Sequence, residues 1–209
     1  MTTTKLVLAS ASPARLQLLK AAGIPADVIV SGVDESTVPA ERPDTLSGTL
    51  ARLKAEAVAA RVGAAPEQNA APERVLVLGC DSVLAFDGQI FGKPSDADDA
   101  VRRWRSMRGR SGVLHTGHCL IDVRTGRSVE EVAATTVHFA DLTDDEIAAY
   151  VATGEPLRVA GAFTLDGFGG PFVDRIEGDP GTVIGLSLPL LRRMMSELGL
   201  EIISFWQAD

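Results

Sequence analysis

The order of its apolar segments most limits how this chain can fold. Short apolar runs, each long enough for one buried strand, alternate with longer stretches of helical period; two extended segments then follow one another directly. Leu6-Val7-Leu8-Ala9 comes first, then Ser10-Ala11-Ser12-Pro13, then Ala14 to Gly23. Ser12 suits a helix N-cap, Pro13 the first helical position and Gly23 the C-terminal cap, so the segment reads as strand, serine loop, helix. A second strand is expected over Val28–Val30. A helix is expected from about Asp44 to Val62, where Leu46, Leu50, Leu53, Ala57 and Val58 approach helical spacing. Residues 63–73 read as an Ala/Pro/Glu-rich surface loop. Val75–Leu78 reads as a buried strand, and Ser82–Phe86 with Gln89–Phe91 as a hairpin around Asp87-Gly88. Asp96–Met107 is a helix with acids first and arginines later, as its dipole prefers. Gly112–Val123 and Ser128–Phe139 are two longer strands. Thr143-Asp144-Asp145-Glu146 has the capping-box form and opens a helix to about Thr153. A glycine-rich stretch from Gly161 to Gly170 precedes a last helix over Leu188–Leu198 and a last strand over Glu201–Phe205. The pattern predicts an α/β fold with a mixed sheet.

Composition narrows the function classes. With 209 residues, 45% of them hydrophobic and 23% charged, the chain can bury a core and is not a disordered segment. Its 28 acidic against 20 basic residues leave a net charge of −8, which argues against binding duplex nucleic acid or an anionic membrane. A local cationic cleft for a small anion stays possible. Cys80 and Cys119 are too few for a disulfide framework and read as small buried residues of a reducing compartment. The apolar run after Lys5 is too short for a signal segment, and no run reaches the roughly 18 residues of a membrane span, so a cytoplasmic address is expected.

Four places carry side chains suited to chemistry. Ser10, Ser12 and Arg15 stand where a strand feeds a helix N-terminus, a natural anion site. Arg15 opposes the helix dipole there, a conflict that a bound phosphate would remove. The plainer alternative is a capping serine and a solvated arginine. Asp81, after an apolar strand, is either a strand-end acid able to hold a divalent cation or orient water, or a turn aspartate bonded to nearby backbone. Lys93, in Gly92-Lys93-Pro94, is a point-charge phosphate ligand or a surface lysine; Pro94 stands where a P-loop needs a hydroxyl. Lys54 either snorkels to solvent or projects into a cleft. His115 and His118, three apart on a strand, face opposite ways and cannot share a zinc. Cys80 lacks a histidine partner nearby in sequence. Asp174, Glu177 and Asp179 read as turn and rim charges, and the Leu190, Leu191, Met194, Met195, Leu198 stripe as core.

Taken together these segments resemble the Maf-type nucleoside triphosphate pyrophosphatases over nearly the whole chain. The resemblance is carried, in order, by Leu8-Ala9-Ser10-Ala11-Ser12-Pro13-Ala14-Arg15, Asp34-Glu35, Leu50-Ala51-Arg52-Leu53-Lys54-Ala55 and Gly79-Cys80-Asp81-Ser82. Gly92-Lys93-Pro94, His115-Thr116-Gly117, Thr136-Val137-His138-Phe139, Tyr150, Gly154-Glu155-Pro156, Ala160-Gly161-Ala162-Phe163 and Val183-Ile184-Gly185-Leu186 follow. It implies one domain over residues 1–209, with an elongated, twisted mixed sheet flanked by helices and two lobes around a central cleft, an architecture shared with ITPase-like proteins. It also implies hydrolysis of a nucleoside triphosphate to the monophosphate and pyrophosphate with Mg²⁺ or Mn²⁺. Asp81 falls on the catalytic acid; Ser10, Ser12, Arg15, Lys54 and Lys93 fall on substrate-binding positions; Glu35 and Asp81 are placed to hold metal. Ala14, Ser82 and Asp166 fall where the family selects its base and depart from its usual residues, so neither known base preference carries over. A homodimer, and roles in nucleotide-pool cleansing and arrest of cell division, are further implications. A pyrophosphate-releasing nucleotidyltransferase and a non-catalytic nucleotide sensor are the competing readings.

Overall fold

The computed structural model describes residues 4–39, 42–64 and 74–206; the loop expected over 63–73 lies outside the described residues from 65 onward. Among the described residues seven strands form one sheet. Three run parallel: β2 (Ala26–Val28), β1 (Thr4–Leu8) and β3 (Arg74–Phe86). Antiparallel β5 (Ser111–Asp122), β6 (Ser128–Phe139) and β7 (Val173–Glu177) continue the sheet, and β4 (Gln89–Phe91) folds back on the end of β3. The sheet is therefore mixed, as the order of segments predicts. No helix among the described residues is long and apolar enough to cross a membrane.

Strand parity explains the layers. On β3 the even positions Leu76, Leu78 and Cys80 join a core beneath α1 (Pro13–Ala21) and α6 (Leu188–Glu197). Farther along the same face, Leu84 and Phe86 join a second core with α3 (Ala97–Met107) and α4 (Asp144–Ala152). These two cores are the two lobes. The odd positions face α2 (Pro43–Gly63), where Val77 packs with Ala51, Ala55 and Val58. Both faces being covered, β1 and β3 read as continuous apolar runs rather than alternating ones.

Two glycines set the depth at which α2 lies. A Cβ at Gly79 would run into the Ala51 carbonyl oxygen, and one at Gly117 into the Ser47 carbonyl oxygen. Helix backbone thus rests directly on β3 and β5, closer than any side chain would permit.

Several expectations need correction. The strand and hairpin arm expected over 75–78 and 82–86 are one 13-residue strand, because β5 pairs with it without a break from Leu76 to Ala85. Asp81 is therefore mid-strand, not at a strand end. The Asp87-Gly88 turn is as expected, with positive φ at both residues. β2 occupies Ala26–Val28, not Val28–Val30, since its register is set against Leu6–Leu8. The expected last strand is a short 3₁₀ turn over Ile202–Phe205, in which only Phe205 is buried while Ile203 faces solvent. Asp174 and Glu177 lie on β7, an edge strand whose charges remain exposed, and Asp179 caps α5 (Pro180–Ile184). Ser12 occupies the N-cap position of α1, but its side chain makes no capping bond.

Replacing Gly79 with alanine must push α2 away from the sheet. We expect Gly79→Ala to lose about 3 kcal/mol or more of stability. Urea denaturation measures this, and an unchanged midpoint would show that the helix does not rest on the strand there.

Candidate active site

The site occupies a gap in the sheet. β1 pairs with β3 as far as Leu78, Ala9 adds one more backbone bond to Leu78, and β4 pairs only with Leu84–Phe86. Between these partners, Gly79–Val83 has no strand on that edge among the described residues. A cavity of about 950 Å³ opens there, large enough for a ligand of nucleotide size. Ser10, Ser12, Arg15, Glu35, Lys54, Asp81, Ser82, Lys93 and Asp166 all line it. The structure thus brings together every site residue singled out from the sequence.

Lys54 does not snorkel outward. It is 8% exposed, and its Nζ donates to Asp81 Oδ1 at 2.6 Å and lies 2.7 Å from Glu35 Oε1. Glu35 arrives on a short 3₁₀ turn whose preceding Asp34 accepts from the Ser36 N–H. Asp81 is not a turn aspartate: it faces α2 from the same side of β3 as Gly79, the glycine that lets that helix approach. Burial pushes its carboxyl above the ordinary range, while Lys54 and Arg15 pull it partly back.

Arg15 is buried, not solvated. Its Nε donates to the Gly185 carbonyl at 2.8 Å, Nη1 to Ser10 Oγ at 2.9 Å and Nη2 to Ser82 Oγ at 3.1 Å. A guanidinium has five N–H donors, so part of the fork remains for a ligand. Ser82 and Thr116 share a hydrogen bond of 2.9 Å, and Thr116 donates onward to the Thr182 carbonyl at 2.8 Å. These polar groups form a seam between the two apolar cores, on the even-numbered face of β3 and β5. Lys93 is exposed, and its loop is fixed from behind: the Gly92 carbonyl accepts from Arg103 Nη1 at 2.7 Å and from the Gly161 N–H at 3.1 Å.

The discounted groups behave as expected. His118 is buried in the seam, where its Nε2 accepts from the Ser187 N–H at 2.9 Å. Burial, with Arg15 adding to it, lowers its pKa to about 4, so it is neutral at pH 7. His115 lies on the opposite face of β5. Burial raises the Cys80 thiol to about 11, which leaves it a thiol and no nucleophile. Among the described residues no group of three or more His, Cys, Asp or Glu could hold a metal. Arg158 also lines the cavity. Nothing in the local sequence marks it, since a lone arginine after Pro-Leu carries no motif.

The Maf-like protein family model matches residues 5–198. Among curated relatives, one from Salinispora tropica is 68% identical over 97% of this chain and 87% of its own length. One from Streptomyces coelicolor is 58% identical over 97% and 94%, and one from a Synechococcus strain 56% identical over 96% and 98%. Each of the three is named nucleoside triphosphate pyrophosphatase. The residues converging on the gap in the sheet, and a family match running from β1 to the end of α6, lead to one conclusion: the chain belongs to the Maf-like protein family.

Proposed function

We propose that the chain is a nucleoside triphosphate pyrophosphatase, cleaving between the α- and β-phosphates to leave the monophosphate and pyrophosphate. The observation that carries this reading is the convergence of Arg15, Lys54 and Lys93 with Asp81 and Glu35 on one cavity. A triphosphate holds about four negative charges, and its cleavage needs positioned cations and an activated water. Arg15 and the free donors at the start of α1 suit phosphate oxygens, and Lys93 adds a point charge from the facing lobe. Asp81 orients the attacking water and takes its proton as the water oxygen bonds to the α-phosphorus and the bond to pyrophosphate breaks. Its raised pKa makes it a better base than an ordinary carboxylate.

Two carboxylates already gathered around one ammonium group fit a hard divalent cation shared with substrate oxygens, the usual manner of binding Mg²⁺ or Mn²⁺. Glu35 and Asp81 would hold it; when bound, it supplies charge neutralisation and polarises the phosphate. Val33, Phe163 and Leu165 are apolar groups lining the same cavity and suit the nucleoside, and Asp166 lines it from the same segment as Phe163 and Leu165. We further propose a cytoplasmic homodimer.

Pyrophosphate release from ordinary and modified triphosphates, without any acceptor, tests the reading against nucleotidyl transfer; binding without release would favour a sensor. Asp81→Asn should lower kcat by about 10²-fold or more while the fold persists, because Glu35 still neutralises Lys54. Near-normal hydrolysis would refute Asp81 as base. Asp81 must be ionised to act, and its pKa is raised. In the metal-free protein, the Asp81 carboxyl followed by NMR should therefore titrate with a midpoint above the ordinary aspartate value of about 3.9, and a lower midpoint would contradict this environment for the base. Thorough chelation should abolish turnover, restored by Mg²⁺ or Mn²⁺; activity surviving it would remove metal from the mechanism.

A further inference from the structure

One wall of the cavity is an irregular loop, and an acid outside the cavity shapes it. Thr164, Leu165 and Asp166 line the cavity from a segment with neither helix nor strand between Phe163 and Gly169. Glu155, just beyond the end of α4, accepts from both ends of that loop. Its Oε1 accepts from Tyr150 Oη at 3.0 Å, from the Thr164 hydroxyl and from the Gly169 N–H at 3.0 Å; its Oε2 accepts from the Phe168 N–H at 3.0 Å. Tyr150 Oη in turn accepts from the Thr164 N–H at 3.2 Å.

The loop wraps this carboxylate tightly. A Cβ at Gly167 would run into Glu155 Oε2, and one at Gly169 into Tyr150 Oη. The far end of the assembly is rigid, because the Tyr150 ring packs edge-on to Trp104, centroids 5.6 Å apart, and to Phe172 at 5.3 Å. Burial opposes the Glu155 charge, but hydrogen bonds from Thr164, Phe168, Tyr150 and Gly169 outweigh it and hold the carboxyl below its usual value. Every partner is a donor, so an acceptor with two full oxygens is what the loop requires.

We propose that Glu155 is a positioning residue for the nucleoside-facing wall: its carboxylate folds residues 164–169 so that Leu165 and Asp166 confront the base and sugar. This rests on the pyrophosphatase reading for the identity of the ligand. An apolar leucine beside a carboxylate that forms no ion pair among the described residues suits a neutral heterocycle, whereas phosphates belong with Arg15 and Lys54. The loop therefore governs how the nucleoside is held and leaves the phosphate end alone.

The test compares wild type, Glu155→Gln and Tyr150→Phe in calorimetric binding of two probes: a nucleoside triphosphate analogue non-hydrolysable between the α- and β-phosphates, and inorganic tripolyphosphate. Gln keeps the size but turns one acceptor into a donor facing donors; Phe keeps the ring but removes the donor to Glu155 and the acceptor of the Thr164 N–H. We expect the analogue to bind about tenfold or more weakly to Glu155→Gln, and less severely so to Tyr150→Phe, with tripolyphosphate changed by no more than about twofold. Since tripolyphosphate needs the folded phosphate end, its retention separates this role from general unfolding. Should Glu155→Gln fail to fold, the same ratio of losses in Tyr150→Phe decides. Equal weakening of both probes, no weakening of either, or no binding of the analogue by wild type would overturn the proposal. Wild type that binds the analogue and is sensitive to Glu155, yet releases no pyrophosphate, would refute the pyrophosphatase reading and leave Glu155 in place.

Discussion

The contact on which the rest depends is that of Lys54 with Asp81 and Glu35, at 2.6 and 2.7 Å. A buried ammonium needs a facing carboxylate, and Lys54 has two, so Glu35 still neutralises it if Asp81 is lost; losing Lys54 instead would strand the buried Asp81 charge, at a cost of about 3–5 kcal/mol. The pair exists because helix backbone sits on Gly79 and Gly117, which brings Lys54 down to the strand bearing Asp81. A larger residue at either glycine would lift the lysine away. Sheet packing and site electrostatics are thus one constraint.

The gap along β3 is the second constraint. A strand that changes partner on one edge, from parallel β1 to antiparallel β4, must leave a few residues unpaired between them, and polar side chains there meet a cavity rather than a neighbouring strand. Asp81 and Ser82, adjacent in sequence, point to opposite faces, yet both line that cavity. One meets Lys54 from α2; the other meets Arg15 and Thr116 in the seam between the two cores. The two lobes meet where apolar packing gives way to this chain of hydroxyls.

Much of this was legible from local patterns. The capping box at Thr143 and Glu146 forms both of its bonds, the Asp87-Gly88 turn closes its hairpin, and the Leu190 to Leu198 stripe is core. Each is a short-range effect with one strong solution. The unbroken β3 was not legible, because a glycine followed by polar residues looks like a turn until a long partner strand pairs across it. The terminal Ile202–Phe205 run looked like a strand because composition does not reveal that only one of its side chains finds a core. β7 was hidden by its charges, which an edge strand can expose at little cost.

The same division holds for the site. The amino-acid order alone determined the candidate residues: their types and spacings resemble one family strongly enough to point to Ser10, Arg15, Glu35, Lys54, Asp81 and Lys93, all of which line one cavity. It left open whether Lys54 turned outward, whether Arg15 was solvated and whether Asp81 was a turn residue. Those alternatives depend on partners 27 to 170 positions away, as in Lys54 with Asp81 and Arg15 with Gly185. Local energetics cannot choose between a solvated cation and a buried one. Only the folded chain supplies the facing carboxylate or carbonyl that makes burial affordable, so tertiary structure alone decided that these side chains turn inward to one cavity.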